Sequence, residues 1–412
     1  MGDAGRRYDT VEIDTAKHLP LKERRKRDRR SRREPRIPRW VYKIIVILIL
    51  CVVSMLVWFN RSNLTPENVL DWVHDSVVGM GIGDGFPSKI VGNSVAVGNF
   101  KSVNKEIYVL SDTALTVLNS TAKAVSSRQH SYSQPVMKVY GNRALIYNLG
   151  GKGYQLVSQS GTLVKSTVQK NILAGALAGN GRYALVTEAD GYLGCLTAYN
   201  SKNKAMFRYW FSDYYPVAVA LNYNGTKAAV AAVGAKDGGM NSAVYLFDFN
   251  ENKTVTPVAV YAENMMLDIS WSDKDTVSAV GDRLTSIIYA GNRTKTDYDY
   301  QGMQLKAYCM DNGRTALGLS AFGNTQSGRL VVLNASGGVT ASNTLEQDPV
   351  SVSLYGDTVA ALSQGKVQFF SASTGKPAGS CAAGSDARAI SLHNETSVYI
   401  LGVSEIRYAG AK

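Results

Sequence analysis

A short polar turn recurs along this chain at a nearly constant interval, and that interval restricts the fold more than any other feature. Copies centre on Asn142, Asn180, Asn224, Lys274, Asn312, Asp357 and Asn394. The mean step from 142 to 394, over six intervals, is 42 residues. A four-stranded propeller blade repeats at about 40–45 residues. Around each turn the side chains alternate apolar and polar, as in Val136-Met137-Lys138-Val139-Tyr140 before the first and Ala144-Leu145-Ile146 after it. Alternation of this kind marks strands with one buried face. Asn-Gly at 180–181, 224–225 and 312–313 suits two-residue hairpin turns, where the backbone needs positive φ.

Each copy is followed by a second hairpin, such as Ala243–Phe249, Arg329–Asn334 or Lys366–Ser371. A blade without a clear Asn-Gly turn fits residues 90–131. One such blade and seven turn-marked copies favour an all-β, eight-bladed β-propeller over residues 86–412; seven blades result if two short copies merge. The last copy ends at Glu405-Ile406-Arg407-Tyr408 and lacks an outer strand, which residues 86–92 can supply. Closure of this kind removes the exposed edges of an open sheet.

The N-terminal part obeys different physics. Residues 1–39 hold fourteen of the 45 basic residues and seven of the 33 acidic ones. Eleven of the fourteen are Lys22, Arg24, Arg25, Lys26, Arg27, Arg29, Arg30, Arg32, Arg33, Arg36 and Arg39. Such a run repels itself and offers little to bury, so it reads as a disordered tail. Residues 40–59 follow, with Lys43 the only charge. Twenty residues of helix rise about 30 Å, the thickness of a bilayer's hydrocarbon core. Trp40, Tyr42 and Trp58 sit at its ends, as interfacial aromatic residues do. The expectation is one transmembrane helix, with the basic tail cytoplasmic and the remainder outside. A cleaved signal peptide fits less well, because the run is long, sits late and lacks a small-x-small site. The tail's eleven basic residues are read as contacts to the anionic inner leaflet. Nucleic acid is not expected, since the tail has few aromatic residues for base stacking. Residues 60–85 form a stalk in which Thr65-Pro66-Glu67 opens a short amphipathic helix.

Little in the chain points to catalysis. Outside the span, His74, His130 and His393 show no metal-ligand spacing, and Cys195, Cys309 and Cys381 form no C-x-x-C pair. His393 is placed in a turn. Asp297-Tyr298-Asp299-Tyr300-Gln301-Gly302 resembles the start of a calcium loop, but Tyr308 stands where the twelfth-position Glu belongs; it is read as an acidic loop between blades. No metal or cofactor is expected. The densest aromatic stretch is Tyr209-Trp210-Phe211-Ser212-Asp213-Tyr214-Tyr215. On a strand, alternate members pack between blades. Trp210, Tyr214 and Tyr215 are the candidates for an exposed patch that binds a protein or a wall glycan.

The layout resembles a family of gram-positive bacterial membrane proteins known only as a domain of unknown function, with a basic tail, one span and a quinoprotein-like or WD40-like propeller outside. The residues that carry the resemblance are Leu64-Thr65-Pro66-Glu67-Asn68-Val69, Gly83-Asp84-Gly85-Phe86-Pro87, Arg128-Gln129-His130-Ser131, Gly141-Asn142-Arg143-Ala144-Leu145-Ile146-Tyr147, and the stretch from Gly179-Asn180-Gly181-Arg182 to Thr187-Glu188. The resemblance implies no reaction. Quinone-dependent propeller dehydrogenases have a Trp-docking repeat, whereas this propeller has only Trp210 and Trp271. The functional expectation is a non-catalytic scaffold or sensor at the cell envelope. The alternative is a hydrolase or lyase of wall carbohydrate, using carboxylates among Asp190, Asp213, Glu263, Asp268, Asp297 and Asp299.

Overall fold

The computed structural model describes residues 39–59 and 81–412, apart from 237, 252–253, 273–274, 322 and 324–326. The basic tail before Arg39 and the stalk helix expected near residue 65 lie outside the described residues. The chain divides into two compact units, Met1–Arg61 and Ser62–Lys412.

In the first unit a helix runs over Arg39–Phe59. Its described apolar side chains after Val41, among them Ile44, Ile47, Leu50 and Met55, are exposed. The side chains of residues 39, 42, 53 and 56–59 are outside the described set. Among the described residues, no helix is long and apolar enough to cross a membrane.

The second unit is an eight-bladed β-propeller, each blade a four-stranded antiparallel sheet. Blades 1 to 7 cover residues 95–129, 135–167, 172–211, 215–262, 266–299, 304–345 and 351–382, with the strands of each paired in chain order. Blade 8 is assembled from both ends of the unit. It takes Ala389–Asn394, Ser397–Leu401 and Glu405–Gly410, and its outer strand is Ser88–Lys89. Ser88 lies opposite Ile406 and Lys89 opposite Glu405. The expected exchange between termini is therefore present, with a shorter strand than 86–92. Phe86 adds an apolar clasp, its ring 5.2 Å from that of Tyr399 and 6.0 Å from that of Tyr408. Upstream, residues 81–85 form a strap along one turn of blade 1. Asn119 Nδ2 donates to the Gly81 carbonyl at 2.9 Å, Gly83 N–H to Thr121 Oγ1 at 2.9 Å, and Gly85 N–H to the Thr121 carbonyl at 3.1 Å.

First strands line the axis, where backbones converge, and two solutions to the crowding coexist. Blades 3 and 4 use small side chains, with Ala174 and Ala176 in the seam between blades 3 and 4 and Ala218 and Ala220 in the seam between blades 4 and 5. At Gly175 a Cβ would collide with the Tyr147 ring of blade 2. Blades 7, 8, 1 and 2 are instead stitched by polar side chains. Ser351 and Ser353 accept from the N–H groups of Ile390 and Leu392, and Ser391 accepts from that of Ser102. Asn99 bridges to blade 2, donating to the Pro135 carbonyl at 2.7 Å and accepting from Met137 N–H at 3.0 Å. Between blades large side chains are buried. Phe211, at the end of the outer strand of blade 3, meets Tyr245 and Phe247 on the third strand of blade 4, and full burial of such a residue contributes about 1.5–3 kcal/mol.

The turns differ in detail from the expectation. Asn312-Gly313 is a two-residue turn with both φ positive, as the Asn-Gly signal implies. Around Asn180-Gly181 and Asn224-Gly225 the chain makes wider loops, in which Gly181 N–H donates to the Ala178 carbonyl and Gly225 N–H to that of Asn222. Asn104-Lys105 supplies blade 1 with a two-residue turn of positive φ that carries no Gly. His393 lies on the innermost strand of blade 8, half-buried against Tyr399 and Tyr408. It is not in a turn, because the reversal occurs at Glu395-Thr396. Asp297 and Asp299 likewise belong to the outer strand of blade 5, Thr294–Asp299, and the reversal follows at Gln301-Gly302. All four cysteines are free thiols.

Two outcomes follow from this packing. Asn99→Ala leaves the Met137 N–H buried without its acceptor, so the unfolding free energy of the full chain falls by about 2 kcal/mol in urea titration. Burial holds the His130 imidazole below its ordinary value, against the opposing Ser111 carbonyl and Asp112; burial and then Lys105 do the same for His393. A histidine depressed in the fold takes up its proton more readily when unfolded, so stability is full above pH 6.5 and declines as the pH falls from there. Replacing both histidines with Gln flattens that decline in thermal melts between pH 7.5 and 5.

Candidate binding surface

Period two sorts the aromatic stretch of blade 3. Its outer strand, Ala205–Phe211, turns Phe207, Tyr209 and Phe211 toward Phe247 of blade 4. Trp210 points the other way and is 47% exposed. It stands opposite Cys195 in the ladder, and its ring lies 6.3 Å from Tyr192 at 44°.

Tyr192 opens a cleft of about 330 Å³ beside the first strand of blade 4, lined also by Lys170, Glu188, Asp190, Leu193 and Tyr215. Tyr192 is 52% exposed, Leu193 40% and Tyr215 39%. Four large apolar side chains, Trp210 included, thus face solvent around one depression. Polar groups flank them. Lys170 Nζ donates to Asp190 Oδ1 at 2.6 Å across the turn. Burial, and secondly the Glu188 carboxylate, push the Tyr215 hydroxyl above its ordinary value, which keeps it a neutral donor. The cleft can stack a flat apolar ring or sugar face and bond its hydroxyl or amide groups at the edge.

Of the three expected patch residues, the structure brings together two. Trp210 and Tyr215 flank the cleft, one beside Tyr192 and the other in its lining. Tyr214 is half-buried, edge-on to Tyr245 at 6.2 Å, and belongs to the seam of blades 3 and 4. Tyr192, Leu193, Lys170 and Glu188 were not legible as partners. The only hint is local: Tyr192-Leu193 puts two large apolar residues directly after the Asp190-Gly191 turn, which breaks strict alternation.

The six candidate carboxylates are scattered. Asp190 is at the cleft, paired with Lys170. Glu263 pairs with Arg283 at 3.1 Å and Asp297 with Lys295. Asp213 accepts from Ser212, and Asp299 from the N–H of Gln301. Among the described residues, no three of His, Cys, Asp and Glu are placed to hold a metal ion.

Asp268 has a different role. It lies on the first strand of blade 5, yet its Oδ1 is 3.8 Å from Lys138 Nζ on the first strand of blade 2. Tyr308 of blade 6 donates to Asp268 Oδ2 at 3.3 Å. One carboxylate therefore ties three blades across the axis. The Asp268 charge is the chief cause that holds the Lys138 ammonium above its ordinary value, against desolvation. Protein surrounds Lys138, but 38% of its side chain remains open to solvent, so screening keeps the pair modest. Asp268→Asn should lower stability by about 1 kcal/mol. A lysine raised in the fold gives its full stabilisation below its unfolded value near 10.4 and loses it above. The difference between wild type and variant in chemical denaturation therefore stays constant from pH 6 to 9.

Comparison with known proteins agrees with this architecture. A family model described as "Family of unknown function (DUF5711)" matches residues 88–405. No curated protein matches. The computationally designed Ika8 protein is similar in structure, with a TM-score of 0.54 at 13% identity, covering 78% of this chain and 98% of Ika8. Sqt1 of Saccharomyces cerevisiae has a TM-score of 0.52 at 11% identity, covering 79% of this chain and all of Sqt1. BamB of Moraxella catarrhalis reaches 0.48 at 9% identity, covering 78% of this chain and 99% of BamB. At these identities the likeness concerns the fold alone.

Proposed function

The chain belongs to the DUF5711 family of unknown function, and we propose that it is a non-catalytic binding scaffold or sensor, anchored in the plasma membrane by one span with its propeller on the extracytoplasmic side. The observation that carries the binding role is the aromatic cleft. Trp210, Tyr192, Leu193 and Tyr215 are all more than a third exposed. Exposed large apolar residues gathered around one depression mark a contact surface, whereas scattered ones need no explanation. The partner is a protein or a wall glycan.

The anchor rests on the helix Arg39–Phe59, whose sequence carries no charge after Lys43 and whose described apolar side chains from Ile44 on are exposed. Water is a poor solvent for such a surface, and a lipid interior is a good one. The eleven basic residues from Lys22 to Arg39 would then keep the N-terminus in the cytoplasm, against the anionic inner leaflet. Among the six carboxylates only Asp190 lines the cleft. That placement is what favours the alternative, a hydrolase or lyase of wall carbohydrate.

The test is crosslinking capture with the full-length protein from its native membrane, beside a Tyr192→Ala/Trp210→Ala variant. Loss of this exposed aromatic pair removes roughly 1–3 kcal/mol of binding, so the captured protein or glycan falls by about tenfold in the variant. An unchanged yield places the binding surface elsewhere on the ring. Wall fragments shortened by wild type and left intact by Asp190→Asn would replace the scaffold with the enzyme.

A further inference from the structure

Antiparallel strands send alternate turns to opposite rims of the ring. Turns joining first to second and third to fourth strands share one rim. Turns joining second to third strands, and the links between blades, share the other. Counting each turn with its flanking strand residues, among the described side chains, the first rim holds ten Lys or Arg and seven Asp or Glu. The second rim holds six and ten. The propeller is thus charge-polarised, although its overall composition is close to balanced.

Several acidic groups on the basic rim are held by local partners. Asp357 accepts from Ser371, Ser373 and Arg314, Asp248 from Asn250, and Glu395 from the N–H of Asp357. Lys105, Lys204, Arg293 and Lys376 are exposed there, on blades 1, 3, 5 and 7. A second observation is independent of charge. The strap at Gly81, Gly83 and Gly85 is bonded to residues 119 and 121 in a turn of the basic rim. The chain that leads to the helix therefore departs from that rim. Twenty-one residues separate Phe59 from Gly81, a reach of at most about 70 Å.

We propose that the basic rim is a lipid-facing surface, which rests on the anionic headgroups of the extracytoplasmic leaflet and turns the acidic rim outward. The aromatic cleft, built from the Asp190 turn and the Lys170 link, belongs to the acidic rim and is thereby presented away from the membrane. A basic side chain near an anionic surface contributes about 1 kcal/mol within a Debye length of about 8–10 Å, so a handful around a ring orients it. This inference rests on the anchor reading, and the test separates the two.

Full-length protein is reconstituted in nanodiscs of neutral phosphatidylcholine or of phosphatidylcholine with phosphatidylglycerol. Lysine acetylation is then mapped by mass spectrometry. Lys105, Lys204 and Lys376 should be protected severalfold in the anionic discs only, and the protection should vanish in high salt. Lys152, Lys170 and Lys366 of the acidic rim should label equally in both. Equal labelling of the basic-rim lysines in both discs overturns the proposal. So does protection by a soluble anionic wall polymer with none from lipid. A chain that fails to enter discs refutes the anchor; offered anionic vesicles from outside, it still reads the rim. There, Lys204→Gln/Lys376→Gln should weaken vesicle affinity roughly thirtyfold, and Lys152→Gln/Lys366→Gln should leave it unchanged. Equal affinity of the two variants overturns the proposal.

Discussion

Everything in the propeller depends on one antiparallel pairing, that of Ser88–Lys89 with the third strand of blade 8. A ring of blades has no covalent closure. Until the segment that leads into blade 1 joins the last blade, blade 8 lacks its outer strand and no strand crosses from the start of the propeller to its end. The pairing is short, so apolar contact reinforces it through Phe86 on Tyr399 and Tyr408. Strap hydrogen bonds to Thr121 then fasten the same segment to blade 1.

Around the axis the crowding is resolved differently in different sectors. Where Ala and Gly line the first strands, backbones approach and dispersion suffices. Where Ser and Asn line them, buried N–H groups of the next blade find acceptors, which low-dielectric surroundings make more valuable. Asp268 adds a cross-axis tie that neither device supplies, and it uses Lys138 and Tyr308 from blades far apart in the sequence.

Much of the fold could be read from the chain because its information is local and repeated. Period two marks the strands, and the 42-residue step gives the size of a blade, while the structure fixes their number at eight. The shortfall at Tyr408 foretells the exchange of termini. The misreadings were also local. Asn-Gly at 180 and 224 names a turn but not its length, since wider loops satisfy the same φ preferences. Asp297 and Asp299 look like a loop because acidic residues are poor strand formers, yet the outer strand of a blade faces water and tolerates them.

The candidate site was half legible. Trp210 and Tyr215 stood out as aromatic residues in a dense stretch, but their neighbours Tyr192 and Lys170 lie on other strands and turns. By itself, the sequence determined the repeat, the all-β propeller architecture and the separation of a basic, apolar N-terminal part from the rest, and it narrowed the blades to seven or eight. Those properties follow from residue spacing along a single strand or turn. Tertiary structure alone decided which Tyr faces solvent, which carboxylate crosses the axis to Lys138, and which rim is basic. Each of these depends on how strands and turns from different parts of the chain are brought together, which is set by sheet pairing and side-chain packing and which no local pattern encodes.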